Sequence, residues 1–496
     1  MTVAPDAAQA STPPSSPPPP PAPRPRSPRL ALAVIAGSML MIVLDGSVVT
    51  VAMPAVQADL GFTPAGLSWI VNAYLIAFGG LLLLSGRLGD LIGRKRMFLA
   101  GTAVFTGASL LAGLAGSPAM LIAARFLQGV GSAMAAAVSL GILVTLFTEP
   151  RERARAIAVF SFTGAAGASI GQVLGGVLTD ALDWNWIFFI NLPVGLAALA
   201  LAVPALPADR AGTGTGVRRL AARADAFGAV LVTSGLVLGI YTIVEVESRG
   251  WLSAHTLGLG ALAVALLGGF VARQATARTP LLPLRLLRSR AVVGANLVQM
   301  LVMGAMFAFQ VLVALHMQRV LGYGAAETGL AMLPAAVAIG VVSLGVSAPL
   351  IARFGERAVL LTGLTLLLAM LALLARVPDD ADYATDLLPL MLLIAGGGLV
   401  IPALTSLGMS AAGEEDAGVA SGVFNTTQQI GMAVGVAVLS TLAAARTARG
   451  TAAGADATAA LADGYRLAFG VGAGLTAAAI VVAVVVLRRP PRPVGR

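Results

Sequence analysis

Two charged residues inside long apolar stretches, Asp45 and Arg125, are the first candidates for chemistry in this sequence. A carboxylate in the middle of a membrane span costs at least roughly 2.5 kcal/mol unless it is paired or protonated, so Asp45 is expected to have a function. Burial favours a neutral carboxyl group and a nearby cation favours a charged one, so a moving Arg or a cationic substrate could release or restore its proton. Arg125 stays charged when buried and needs a partner, for which Asp45 is the obvious candidate. The alternatives are an Asp45 bonded to a hydroxyl such as Ser47 and an Arg125 at the membrane interface.

One acid and four basic residues share a short glycine-rich segment, residues 86–96, with the sequence GRLGDLIGRKR. Its glycines let helix ends approach closely, while the acid can pair with a following arginine or lie at the positive N-terminus of another helix. Such a pair could latch one conformation of the protein. The segment therefore predicts a conformational switch, and the alternative is a basic loop with a glycine turn. The residues assigned to the switch are Gly86, Asp90, Gly93, Arg94 and Lys95.

Glycines recur in the apolar stretch 155–178, mostly at four-residue spacing. This spacing puts them on one face of a helix, where another helix can approach to backbone contact. The helix-packing glycines predicted in this way are Gly167, Gly171, Gly175 and Gly176.

Polar side chains interrupt several other apolar stretches, where lipid would tolerate them poorly. Facing a central cavity, they would offer hydrogen bonds without fixed charge beside flexible methionines that suit varied apolar ligands. Hydrogen bonding between helices explains any one of them equally well. The predicted cavity residues are Asn72, Tyr74, Gln128, Asn296, Gln299, Met303, Asn425 and Gln428.

The composition is typical of a membrane protein and excludes several other classes. Of the 496 residues, 57% are hydrophobic and 11% charged, against roughly 25% charged in soluble domains. The net charge of +9 does not indicate nucleic-acid binding, because aromatic residues make up only 5% and the basic residues form short clusters between apolar runs. The absence of cysteine excludes disulfides and thiolate sites, and His255 and His316 are isolated, so we expect no metal, no cofactor and no enzyme activity.

Fourteen apolar runs recur along the chain, and at 1.5 Å per residue each is long enough to cross about 30 Å of hydrocarbon. We therefore predict an all-α polytopic membrane protein. The predicted spans are 30–52, 67–85, 98–115, 119–147, 155–178, 186–205, 226–245, 255–272, 291–315, 328–348, 358–375, 388–410, 418–442 and 464–487.

The distribution of Lys and Arg between alternate loops predicts the orientation. The side with the N-terminal tail holds 25 of these residues and the opposite side holds 6. Because basic residues accumulate in cytoplasmic loops, we expect both termini in the cytoplasm and a multi-pass protein in the cytoplasmic membrane.

The segment 86–96 resembles the loop between the second and third helices of the major facilitator superfamily, G-x-L-x-D-x-x-G-R-[RK], at every one of those positions. Further segments are similar to elements of the drug/proton antiporters in that superfamily, in the same order. These are LDGS at 44–47, AMP at 52–54 and RFLQG at 125–129. WNWIFFINLP at 184–193 looks like their fourteen-helix branch, and the resemblance covers about residues 30–490.

The resemblance implies the major facilitator fold, with two six-helix bundles around a central cavity that alternates between inward and outward access. It also implies a link between Arg125 and proton coupling. One departure concerns the antiporter pattern G-x-x-x-G-P-x-x-G-G, in which Gln172 stands in place of Pro, so that the glycine face is kept without the kink. The expected divisions are a disordered Pro-rich tail at 1–29, a six-helix bundle at 30–205, two inserted helices with linkers at 206–290, a second bundle at 291–487 and a tail at 488–496.

Three functions compete. The first is export of amphipathic, often cationic, drugs or antibiotics in exchange for protons, by a monomer whose partners are the lipid bilayer, the small substrate and protons. The second is a dedicated exporter or symporter of one endogenous metabolite, which would need a complementary fixed charge in the C-terminal half. The third is a transporter-like membrane sensor, for which the longest candidate cytoplasmic segment, 206–225, is too short to form a folded domain.

Overall fold

The computed structural model describes residues 27–486, apart from 65, 148, 208, 210–224, 278–279, 283, 379–380 and 411–416. Within these residues the chain forms helices and no strand. The predicted tail at 488–496 lies outside the described part, and so does the tail at 1–29 apart from residues 27–29. Most of the segment 206–225 lies outside it as well.

The first seven helices build six spans, the sixth of which is divided into a short and a longer helix. They are α1 (Pro28–Leu60), α2 (Trp69–Ile92), α3 (Arg94–Gly113), α4 (Pro118–Leu146), α5 (Pro150–Ala181), α6 (Trp186–Phe189) and α7 (Asn191–Ala205).

The remaining helices begin with a hairpin of two spans and continue with six further spans. They are α8 (Ala226–Arg249), α9 (Ala254–Thr276), α10 (Arg290–Arg319), α11 (Ala325–Val341), α12 (Ser347–Phe354), α13 (Glu356–Leu374), α14 (Leu388–Leu392), α15 (Ala395–Ser410), α16 (Ala417–Ala452) and α17 (Ala457–Val486). A π-helical turn at Val342–Val346 joins α11 to α12 within one span, and another at Tyr383–Leu387 precedes α14.

Thirteen helical stretches of the described residues are long and apolar enough to cross a membrane. The fourteenth predicted span, 155–178, falls within α5, a helix of 32 residues, part of whose side chains lie outside the described set. The predicted all-helical, polytopic fold is thus confirmed, and fourteen spans are consistent with it.

Serines at the N-caps define where several helices begin. The side chains of Ser27 and Ser117 accept hydrogen bonds from backbone N–H groups three residues on, and a proline at the first helical position follows each serine. Ser253 and Ser289 cap α9 and α10 in the same way. An N-cap oxygen satisfies one of the N–H groups that a helix start leaves unpaired, and proline fits there because it has no N–H to lose.

Helix pairs inside the bundle approach to backbone contact at glycines. Gly304 of α10 lies against Gly435 of α16, and a Cβ atom built on Gly304 would come 2.8 Å from the carbonyl oxygen of Gly431. In hydrocarbon there is little hydrophobic force between helices, so close van der Waals packing of this kind holds them together.

We call the six helical stretches before the hairpin the first half and the six after it the second half; the halves contact each other directly through α2 and α16 and through α5 and α11. Helix α8 packs against α2 of the first half and against α16 of the second half. We call the end of the bundle that carries residues 86–96 the basic end, and the end where α1 finishes and α2 begins the opposite end.

Candidate functional site

Asp45, in the middle of α1, is fully buried and bonded to the equally buried Arg125 of α4. The distance from Arg125 Nη1 to Asp45 Oδ2 is 2.5 Å. Arg125 also donates through Nε to the carbonyl oxygen of Ile70 at 2.9 Å. Both charged groups therefore have partners away from water, as buried ions require. The sequence-based pairing of Asp45 with Arg125 is the arrangement found here, and Ser47 donates instead to backbone carbonyls.

Two amide side chains complete the environment of the Asp45 carboxylate. Gln128 Nε2 and Asn191 Nδ2 donate to Asp45 Oδ1 at 3.0 and 2.8 Å, and Arg125 Nη1 donates to Gln128 Oε1 at 2.8 Å. Asn191 is the first residue of α7, so its amide joins the sixth span to the first. We call Asp45, Arg125, Gln128 and Asn191 the carboxylate network.

Gln128 was predicted from the sequence to line the substrate cavity, and Asn191 had no predicted role. Gln128 follows Arg125 by three residues in one helix, and this spacing puts both side chains on the same face. That spacing was a usable signal for the network. Asn191 carried a weaker signal, since it is an amide within an apolar run at a conspicuous motif.

Tyr74 of α2 lies between the carboxylate network and the central cavity. The Arg125 guanidinium carbon stands 4.5 Å from the centroid of the Tyr74 ring, within the range of a cation–π interaction. Tyr74 also lines the cavity. The ring therefore contacts both the cavity and the Arg125 guanidinium.

A cavity of about 1650 Å³ lies between the two halves. Four of the predicted cavity residues line it, namely Tyr74, Met303, Asn425 and Gln428, and Gln428 Nε2 lies 3.7 Å from Met303 Sδ.

The other four predicted cavity residues are not part of its lining. Gln128 belongs to the carboxylate network, and Asn296 donates to the carbonyl oxygen of Val292 in its own helix at 2.9 Å. Asn72 and Gln299 are buried between helices. In the described part of the chain, no group of three or more His, Cys, Asp or Glu residues could hold a metal ion.

The cavity extends to the basic end, where Arg87, Asp90 and Arg94 line it. Asp90 and Arg94 form the predicted pair, with 3.0 Å between Arg94 Nη2 and Asp90 Oδ1, and Arg94 Nη1 also donates to the carbonyl oxygen of Gly141 at 3.0 Å. The 86–96 segment therefore ties α2 to α3 and α4 beside the mouth of the cavity.

The positive N-terminus of α3 is capped by a residue that the sequence analysis did not single out. Asp209 accepts hydrogen bonds from the backbone N–H groups of Lys95 and Arg96 at 3.0 Å each. Lys95 Nζ donates in turn to the carbonyl oxygens of Val203 and Leu206, at 2.5 and 3.0 Å. The segment thus holds the end of the sixth span as well as the second and third.

The glycines of α5 contact helices of both halves. Gly167, Gly171 and Gly175 lie against α1, where a Cβ atom on Gly175 would come 2.6 Å from the carbonyl oxygen of Val48. Gly176 lies against the backbone at the start of α11, which belongs to the second half. The glycine face of α5 is thus a packing surface at the place where the halves meet.

Several contacts between the halves close the opposite end. The Asp180 carboxylate of α5 accepts from the backbone N–H groups of Ala325 and Ala326. Gln318 of α10 donates to the carbonyl oxygen of Val51 of α1 at 2.9 Å. The cavity is therefore open towards the basic end and closed at the opposite end.

Comparison with known proteins agrees with this geometry. A sequence model of the Major Facilitator Superfamily matches residues 35–436. The chain is 40% identical to the cephamycin export protein CmcT of Amycolatopsis lactamdurans, over 84% of this chain and 85% of that protein. It is 39% identical to the puromycin resistance protein pur8 of Streptomyces alboniger, over 90% of each chain.

Among solved structures, the crystal structure of the POT family transporter PepTSo superposes with a TM-score of 0.67 at 16% identity, over 94% of this chain and 98% of that chain. At this identity the likeness concerns the fold alone. The sequence matches over most of its length establish that the chain belongs to the major facilitator superfamily and is a multi-pass membrane transporter, not an enzyme.

Proposed function

We propose that this protein exports amphipathic drugs or antibiotics from the cell in exchange for protons, by alternating access. The names of the relatives support the direction and the kind of substrate, since they describe export of one antibiotic and resistance to another. The cavity supports the mechanism, because it lies between the halves and opens towards one end only.

The observation that carries the proton step is the position of Asp45. Its carboxylate lies in the middle of a membrane-spanning helix and is fully buried, with its partners on α4 and α7. A carboxylate at this depth is costly unless it has a role, and proton relays are a common one. Arg125 stabilises the charged form, so that any movement that separates the two would favour uptake of a proton.

Alternating access requires the closed opposite end to separate while the basic end closes. The contacts that would break include the hydrogen bonds of Asp180 with the start of α11 and of Gln318 with α1, together with the close packing of Gly176 against α11. The Asp90–Arg94 pair and its contact with α4 would hold the basic end in its present form. The excess of basic residues at that end supports placing it, and both termini, in the cytoplasm.

The test is proton movement in proteoliposomes that contain purified wild-type protein or the Asp45→Asn variant. A panel of neutral, cationic and anionic antibiotics is added against an imposed pH gradient, and a pH-sensitive dye is read. We expect antibiotic-induced proton flux in the wild type and none in Asp45→Asn.

Glu245→Gln is the matched control, because this half-buried carboxylate pairs with Arg249 near the end of α8, away from the carboxylate network. It should keep the wild-type flux. Equal flux in Asp45→Asn and wild type would remove Asp45 as the proton site. No antibiotic-linked flux in any of the three proteins would shift the proposal to a dedicated metabolite transporter.

A further inference from the structure

The charged residues that line the cavity are confined to its mouth. In the described lining they are Arg87, Asp90 and Arg94, all at the basic end, and Asp90 is paired with Arg94. Arg87 adds a positive charge there and donates to the carbonyl oxygen of Pro280 at 3.4 Å. Deeper in the cavity the lining consists of apolar, methionine, hydroxyl and amide side chains.

This distribution disfavours a substrate with a net charge. A cation would have to pass the arginines at the mouth, and among the described lining residues further in it would meet no carboxylate, because Asp45 is fully buried behind Tyr74 and bonded to Arg125. An anion would be attracted by the arginines at the mouth, but deeper in the described part of the cavity it would have no positive side chain to pair with. An ion without a partner in a largely apolar cavity is strongly disfavoured, whereas an uncharged molecule loses nothing comparable.

Gln172 supplies a polar group to the cavity on the side of its closed, opposite end. The residue is only 4% exposed and lines the cavity, and within the described part of the chain its Oε1 atom has no hydrogen-bond partner. Its backbone oxygen packs against Gly329 of α11, where the halves meet towards the opposite end. A buried amide oxygen without a partner is costly, so a ligand donor that reached it would be held there.

A second amide reaches the cavity from the other half. Gln429 of α16 also lines it, and its Oε1 atom likewise lacks a partner among the described residues. The two glutamines therefore present uncharged hydrogen-bonding groups from α5 and from α16 to one space. Proline, which the resembled antiporter pattern has at position 172, would offer no such group.

We propose that the cavity selects uncharged amphipathic molecules that bear hydroxyl or N–H groups, and that Gln172 is a specificity-determining residue that hydrogen-bonds to them. This inference rests on the proposed role of the cavity as the transport site. It departs from the preference for cations that the sequence suggested.

The test is equilibrium binding to the full-length protein in lipid nanodiscs, without a pH gradient. The probes are three pyrene derivatives that share one ring system and carry a hydroxymethyl, a trimethylammoniomethyl or a carboxylate group. The signal is the saturable energy transfer from the tryptophans of the protein to pyrene, after subtraction of the signal with empty nanodiscs.

We expect the wild type to bind the hydroxymethyl probe at least about tenfold more tightly than either charged probe. Gln172→Ala should weaken its binding about threefold to tenfold through loss of one hydrogen bond. Gln172→Leu, which keeps the volume, should do the same. Gln172→Glu should reverse the preference in favour of the trimethylammonium probe, because it places a carboxylate in the cavity near its closed end.

Thr102→Val is the matched control, since this buried hydroxyl bonds to the carbonyl oxygen of Phe98 in its own helix and is not part of the cavity lining. It should leave all three affinities unchanged. Equal binding of the neutral and cationic probes to the wild type, or no saturable binding of any probe, would overturn the substrate class. A change below twofold in both Gln172→Ala and Gln172→Leu would overturn the role of Gln172.

These outcomes are independent of the proton mechanism. Binding at equilibrium needs no proton gradient, so a failure of Asp45→Asn to abolish proton flux would leave the probe affinities as they are. Conversely, charged probes that bind as tightly as the neutral one would leave the flux measurement standing.

Discussion

The carboxylate of Asp180, near the end of α5, accepts a hydrogen bond of 2.7 Å from the backbone N–H of Ala326, in the first turn of α11. One acidic side chain of the first half thereby caps a helix of the second half. Such a cap combines hydrogen bonding with attraction to the positive helix N-terminus, and its loss typically costs about 0.5–2 kcal/mol.

Asp180→Ala should therefore shift the protein towards a state in which the opposite end is open. Because the chain has no cysteine, spin labels can be attached specifically at Ala58→Cys and Ala452→Cys, which lie at that end on different halves. Pulsed electron–electron resonance should show a longer-distance population in Asp180→Ala, increased roughly twofold to thirtyfold over the wild type. Asp463→Ala, which removes a carboxylate paired with Arg446 and Arg466 within the second half, should leave the distances unchanged.

The Asp45–Arg125 pair predicts strong coupling between two substitutions. Arg125→Met leaves the Asp45 carboxylate buried without its counter-charge, and breaking a buried pair from one side costs about 3–5 kcal/mol. The thermal unfolding midpoint in detergent should fall markedly in Arg125→Met. It should recover in large part in the double variant Asp45→Asn, Arg125→Met. Additive losses in the double variant would contradict a direct ion pair.

The position of the Tyr74 ring under the Arg125 guanidinium predicts that proton flux depends on the ring and not on the hydroxyl. In Tyr74→Phe the ring under the Arg125 guanidinium remains, whereas Tyr74→Leu removes a contact worth about 0.5–2 kcal/mol. We expect antibiotic-induced proton flux to be nearly normal in Tyr74→Phe and strongly reduced in Tyr74→Leu. Equally reduced flux in both variants would assign the link to the hydroxyl, which donates to the carbonyl oxygen of Ile42, and normal flux in both would contradict a link through Tyr74.

The contact between Gly304 and Gly435 predicts where a single methyl group is not tolerated. A Cβ atom on Gly435 would overlap the backbone of Gly304, and forcing α10 and α16 apart should cost about 1–3 kcal/mol. Gly435→Ala should therefore lower the thermal midpoint and the yield of monodisperse protein. Gly474→Ala on α17 has open space around its Cβ position and should be neutral or slightly stabilising, since alanine favours helix.

The helices and the central ion pair were predictable from the sequence, and both predictions depend on the long apolar runs. A span needs a long apolar run, so it leaves a continuous signal, and a charge inside such a run is rare enough to be noticed. Asp45 and Arg125 are conspicuous for that reason. The pairing of Asp90 with Arg94 was also predictable, because a short glycine turn between two helices keeps an acid and a following arginine close together, here across Gly93 between α2 and α3.

The partners contributed by distant helices were not predictable in the same way. Asn191 reaches Asp45 from a span 146 residues further on, and a capping acid such as Asp209 looks like any other polar loop residue in the sequence. Amides inside spans are ambiguous too, because Asn296 and Asn425 each donate to the carbonyl oxygen four residues earlier in their own helix, and only Asn425 also lines the cavity. Which side of a helix faces the cavity depends on the rotation of the helix about its axis. Such rotation is set by packing, which a single sequence does not encode locally.

The carboxylate network draws all its side chains from the first six spans, whereas Met303, Asn425 and Gln428 come from the last six. In the proposed mechanism, the residues that take up the proton and these three residues that contact the cargo are therefore encoded in separate portions of the gene. Substitutions in α10 and α16 can then change the cargo without touching the residues of the carboxylate network, whereas Gln172 alters recognition from the same half as that network.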